Sequence, residues 1–183
     1  MNITTAEQDI ECILYTEEEI KKRVSELGEE LYNLYKDSVP VMACVLKGAS
    51  VFYTDLVRAF KGHMLFDFIG VSSYGSGTTS SGRINFKKDF DNDIKGKDVI
   101  IVEDIVDTGL TLKYLKELLK TREVKSVRTI ALLNKYECHT EDLDTDMYGF
   151  RIENRFVVGY GLDYAGYYRN LPYIGVLKKE VYS

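Results

Sequence analysis

Histidine is scarce: the 183 residues hold only His63 and His139, too little material for a histidine-based triad or a metal cluster. The three cysteines, Cys12, Cys44 and Cys138, are odd in number, far apart and in no C-x-x-C spacing. That excludes a disulfide framework and a zinc knuckle, and fits a reducing compartment. Basic charge is short as well. The 24 Lys and Arg against 29 Asp and Glu leave a net charge of −5, the wrong sign for a protein held to nucleic acid by counterion release. No apolar stretch approaches the roughly 20 residues that span a bilayer, and no basic start followed by an apolar run opens the sequence. The expectation is a soluble cytoplasmic protein with no nucleic-acid or membrane partner, whose default ligand is a small molecule.

What remains is ordinary globular composition, 45% apolar and 29% charged, at a length that suits one domain over residues 1–183. Thr16, with Glu19 three residues on, has the form of a capping box. The helix behind it shows Ile20, Val24, Leu27, Leu31 and Leu34 on one face and is expected to end near Asp37, before Pro40. Residues 41–46 (VMACVL) and 99–102 (VIIV) are continuous apolar runs, the mark of strands covered on both faces. Further strands are predicted at 64–71, 83–86, 127–133, 156–160 and 173–177. Helices are predicted at 50–60 and from about Thr111, where Leu112, Leu115 and Leu119 share a face. This alternation argues for an α/β fold, a mainly parallel twisted sheet flanked by helices, with ligands at the carboxyl ends of its strands.

The most informative stretch is VIIVEDIVDTGLT, residues 99–111: an apolar strand, two adjacent acids, a short loop, then D-T-G-x-T opening a helix. Backbone amides at a helix start, Gly109 permitting close approach, and the hydroxyls of Thr108 and Thr111 suit a phosphate dianion. Neither a G-x-x-x-x-G-K loop nor a G-x-G-x-x-G fingerprint is present. Carboxylates beside a phosphate site would conflict, unless Glu103 and Asp104 accept hydrogen bonds from sugar hydroxyls or hold a cation. A phosphorylated sugar satisfies both halves.

On these residues the sequence resembles the type I phosphoribosyltransferases, whose signature is this hydrophobic strand, acid pair and D-T-G turn. VLKG at 45–48, SSYGSGTTSSG at 72–82, LLNK at 132–135, FVVGYGLDY at 156–164 and Arg169 are similar to the hypoxanthine-guanine branch. The resemblance implies a small hood formed by the terminal segments. It also implies transfer of the 5-phosphoribosyl group from 5-phosphoribosyl 1-pyrophosphate to hypoxanthine or guanine, with Mg²⁺ as cofactor and a homodimer or homotetramer as the assembly. A regulator that senses the sugar diphosphate and binds nucleic acid is the alternative, and the net −5 charge counts against it.

Residue by residue, the resemblance implies that Glu103 and Asp104 bind the ribose hydroxyls, and that Asp107, Thr108, Gly109, Leu110 and Thr111 hold the 5-phosphate, with Asp107 as catalytic acid/base toward the purine. Lys135 would meet the exocyclic oxygen of the base, Phe156 would stack on it, and Val157 would offer main-chain contacts. Asp163 would also bind the purine and, with Glu103 and Asp104, would lie near magnesium. Lys47, Gly48, Ser73, Tyr74 and Arg169 would face pyrophosphate, the Leu46–Lys47 peptide bond being a place where the family often shows a non-proline cis form. Residues 72–82 would be a mobile loop that closes over the substrates. Residues 136–148, acidic and without a recognisable motif, receive no role.

Overall fold

The computed structural model describes residues 5–73, 84–139 and 145–183. The expectations placed on Tyr74 and the rest of 74–82 lie outside these residues. The main sheet has six strands in the order β4-β3-β2-β5-β6-β7, comprising β2 (Val41–Leu46), β3 (Leu65–Ser73), β4 (Ile84–Lys88), β5 (Asp98–Val106), β6 (Ser126–Asn134) and β7 (Met147–Arg151). All neighbouring pairs run parallel except β3 with β4. A second, antiparallel sheet of three strands joins the two ends of the chain in the order β1-β9-β8, from β1 (Ile10–Tyr15), β8 (Val157–Val158) and β9 (Ile174–Leu177). With the short α4 (Lys179–Tyr182), it forms the expected hood.

Side chains alternate across a strand, and this period sorts the apolar runs into two cores. Met42, Cys44, Ile100 and Val102 face one layer with α1 (Glu17–Tyr35) and α2 (Ser50–Ala59); Val41, Ala43, Val45, Val99 and Ile101 face the other with α3 (Leu110–Thr121). Leu112, Leu115 and Leu119 of α3 are all buried, each worth about 1.5–3 kcal/mol of apolar burial. The capping box forms: the Glu19 carboxylate accepts from the Thr16 N–H at 2.8 Å while the Thr16 hydroxyl accepts from the Glu19 N–H at 3.3 Å.

Two expectations need correction, and strand β7 has no counterpart among the predicted ones. Leu34 is 54% exposed, and Tyr35 takes the last inward position of α1; its hydroxyl accepts from Arg128 Nε at 3.3 Å, a bond that leucine could not make. The run 156–160 is strand only at Val157–Val158, because Gly159, Tyr160 and Gly161 take positive φ angles of 98°, 49° and 102°. Strand β7 falls partly within the stretch that received no role; it is short, and Gly149 at its centre packs against the Leu132 carbonyl. No helix among the described residues is long and apolar enough to cross a membrane.

Candidate active site

Parallel strands bring their carboxyl ends to one edge of the sheet, and β5 carries the acids there. Glu103 is 7% exposed; burial first, then the neighbouring Asp104, pushes its carboxyl well above the ordinary value. Asp104 is raised too, by burial and by Asp163, although the N–H of Ile105 at 2.9 Å and the Arg169 guanidinium oppose the shift. Burial, then the carboxylates of Glu103 and Asp104, push the Cys44 thiol to about 12, which keeps this cysteine an inert core residue.

The unfolded chain ionises Glu103 near 4.5, before the folded chain does, so stability falls as pH rises above that value. In the ligand-free protein Glu103→Gln is therefore expected to raise the melting temperature at neutral pH, with the gain vanishing below about pH 4. Each kcal/mol gained moves the midpoint by about 2–4 °C in a chain of this size. A melt series from pH 4 to 8 reads this, and a variant less stable than the parent at pH 8 would contradict it.

Beyond the acids, Gly109 sits at the N-cap of α3 with φ 80°, a left-handed conformation that glycine adopts without steric cost. A cavity of about 270 Å³ is lined by Glu103, Asp104, Asp107, Thr108, Gly109 and Thr111, together with apolar residues that include Val45. Leu110 starts the helix with a side chain 42% exposed, so what it can offer a phosphate is its backbone N–H. A larger cavity, about 690 Å³, is lined by Arg169 with residues of α1 and α2 and contains neither the acid pair nor any residue of the turn at 107–111.

The loop after β2 meets this site directly. The Leu46–Lys47 peptide bond is cis, Lys47 is exposed, and a Cβ at Gly48 would fall inside the Asp104 carboxylate. A Cβ at Gly161 would in turn strike the Gly48 carbonyl. Two glycines thus let three segments close on one point. Arg169 is anchored there, 2.5 Å from Asp163 and donating to the Gly161 carbonyl at 2.6 Å, while Asp163 also accepts from the Gly166 N–H at 2.8 Å. Ser73 ends β3.

On the opposite side of Asp107 stands Lys135, its side chain 11% exposed and its Nζ 3.7 Å from the Asp107 carboxylate. Asn154 Oδ1 lies 3.5 Å from the same ammonium. Asn154 escaped sequence reasoning, since an asparagine in a coil carries no signal, and so did Cys138, whose thiol is raised by burial and by contact with Asp107. Phe156 precedes β8 and is 38% exposed. Its carbonyl accepts from Leu177 N at 2.9 Å, so by alternation the N–H and C=O of Val157 point away from β9, toward the open edge of the sheet.

Among the described residues no three metal-ligating side chains converge. Asp104 and Asp163 nevertheless supply hard oxygen donors whose charges burden each other. That donor set fits Mg²⁺, which keeps several waters and shares substrate phosphates instead of filling a protein cage.

Comparison with known proteins shows the family. The phosphoribosyl transferase domain matches residues 13–165. The chain is 50% identical over 175 residues to hypoxanthine-guanine phosphoribosyltransferase of Bacillus subtilis (strain 168), covering 96% of this chain and 97% of that protein. It is 48% identical over 177 residues to the Streptococcus pyogenes (serotype M3) protein of the same name, covering 97% and 98%. A crystal structure of hypoxanthine phosphoribosyltransferase from Staphylococcus aureus superposes with a TM-score of 0.95 at 43% identity, over 100% of both chains. The chain belongs to the phosphoribosyltransferase family. Within it, the chain is a member of the hypoxanthine-guanine branch.

Proposed function

We propose that the chain transfers the 5-phosphoribosyl group of 5-phosphoribosyl 1-pyrophosphate to hypoxanthine or guanine, yielding IMP or GMP and pyrophosphate in purine salvage. The observation that carries this reading is the meeting of Asp107 and Lys135, 3.7 Å apart, beside a glycine-opened helix start. An ammonium has donors and no acceptor, so Lys135 favours a 6-oxo purine and meets a 6-amino group badly. Asp107 takes or shares the proton of the imidazole part of the purine as the base bonds to the sugar. Glu103 and Asp104 accept from the ribose hydroxyls, and the turn from Asp107 to Thr111 holds the 5-phosphate. Lys47, Gly48 and Arg169 face the departing pyrophosphate; the same role for Ser73 and Tyr74 rests on the resemblance. Exclusion of water protects the oxocarbenium-like carbon.

Magnesium would be held by Glu103, Asp104 and Asp163 and would supply charge neutralisation to the leaving group. Turnover of hypoxanthine with the sugar diphosphate, measured with and without excess chelator, tests the proposal. Nucleotide is expected with Mg²⁺ and none in chelator; full turnover in chelator removes the metal, and no turnover in either removes the reaction. The homodimer or homotetramer belongs to the same proposal and is read by sedimentation.

A further inference from the structure

The ring of Phe156 is stacked on that of Tyr182 in α4, with centroids 4.5 Å apart and planes 17° from parallel. Tyr164 meets Phe156 edge-on, at 5.5 Å and 85°, and stands 6.4 Å from Tyr182. These separations set Tyr164 near a right angle from Tyr182 as seen from Phe156. One tyrosine therefore covers a face and the other flanks the ring, yet Phe156 remains 38% exposed. Tyr182 is itself fixed, since it packs with Tyr164 and Val181 on the hood core of Val158, Leu171 and Leu177. Neither its stacking on Phe156 nor its place in α4 serves any step described above.

An aromatic ring packed on one side and open on the other is a platform for a flat heterocycle. Fixing such a ring in advance removes the cost of ordering it when the ligand arrives. We infer that Tyr182 is a positioning residue for the purine: it backs Phe156 and sets the plane on which the base stacks, without touching the base. The inference rests on the reading of Phe156 as the stacking residue. It makes the short terminal helix part of base selection and leaves it no part in holding the sugar diphosphate.

The experiment compares Tyr182→Ala, Tyr182→Phe and Phe156→Ala in the full chain. An aromatic pair of this kind predicts that Tyr182→Ala raises KM for hypoxanthine by about 3- to 10-fold, with KM for the sugar diphosphate unchanged. Tyr182→Phe, which keeps the ring, should restore the parent value. The inference is overturned if Tyr182→Ala leaves hypoxanthine KM as it was, or if both KM values rise together. It is also overturned if hypoxanthine KM falls, which would mean that Tyr182 occupies the face meant for the base. Phe156→Ala separates the two levels: a raised hypoxanthine KM there with none in Tyr182→Ala sinks the inference alone. An unchanged value in Phe156→Ala sinks the stacking reading and the inference with it.

Discussion

Asp107→Asn is expected to lower kcat by about 10²–10⁴, the range for a positioned acid/base, while affinity for 5-phosphoribosyl 1-pyrophosphate stays within a few fold. Asparagine keeps the size and part of the hydrogen bonding but has no basic lone pair to take a proton. The competing explanation, in which Asp107 caps the following helix, needs Asp107 at the N-cap. The N-cap of α3 is Gly109, with no side-chain capping bond, and the Asp107 side chain is 56% exposed. The folded variant should accordingly melt with the parent. Steady-state rates and sugar-diphosphate binding decide the matter; near-parental turnover would remove Asp107 from the chemistry, and a joint loss of binding and stability would make it structural.

Lys135→Ala is expected to raise KM for hypoxanthine and guanine by roughly 10- to 100-fold, as follows from losing a charge-assisted hydrogen bond worth about 1.5–3 kcal/mol in a closed site. Binding of the sugar diphosphate should change little, because the ammonium points to Asp107 and Asn154 and is absent from the lining of the cavity at the start of α3. Its own position is set by the backbone: Lys135 N donates to the Val106 carbonyl at 2.9 Å, which extends the β5–β6 ladder and places the lysine directly beside the end of the acidic strand. Equal losses for both substrates would assign Lys135 to the fold or to the phosphate site.

The central strands were legible because two signals agreed there. VMACVL and VIIV are apolar on both faces, and their alternation fills two cores at once. The turn that opens α3 was legible because Gly109 takes a left-handed conformation there, a requirement visible in the letters D-T-G. What escaped depends on contacts between distant segments. Leu34 and Tyr35 compete for one position of α1, and the choice is made by Arg128, 93 residues away. Strand β7 has alternating burial but only five residues, and it is defined by pairing with β6 more than by its own composition. Gly48 and Gly161 look like ordinary turn glycines until the Asp104 carboxylate and the Gly48 carbonyl are seen against them. Asn154 and Tyr182 carry no local motif and become visible only through the side chains they touch.

The measurement that bears most directly on the account is product identification from the purified chain given 5-phosphoribosyl 1-pyrophosphate, Mg²⁺ and, in separate reactions, hypoxanthine, guanine and adenine. The account predicts IMP and GMP with stoichiometric pyrophosphate, and no more than trace nucleotide from adenine, because Lys135 has no acceptor to offer a 6-amino group. Nucleotide formed from adenine as readily as from hypoxanthine, or from none of the three, would contradict it.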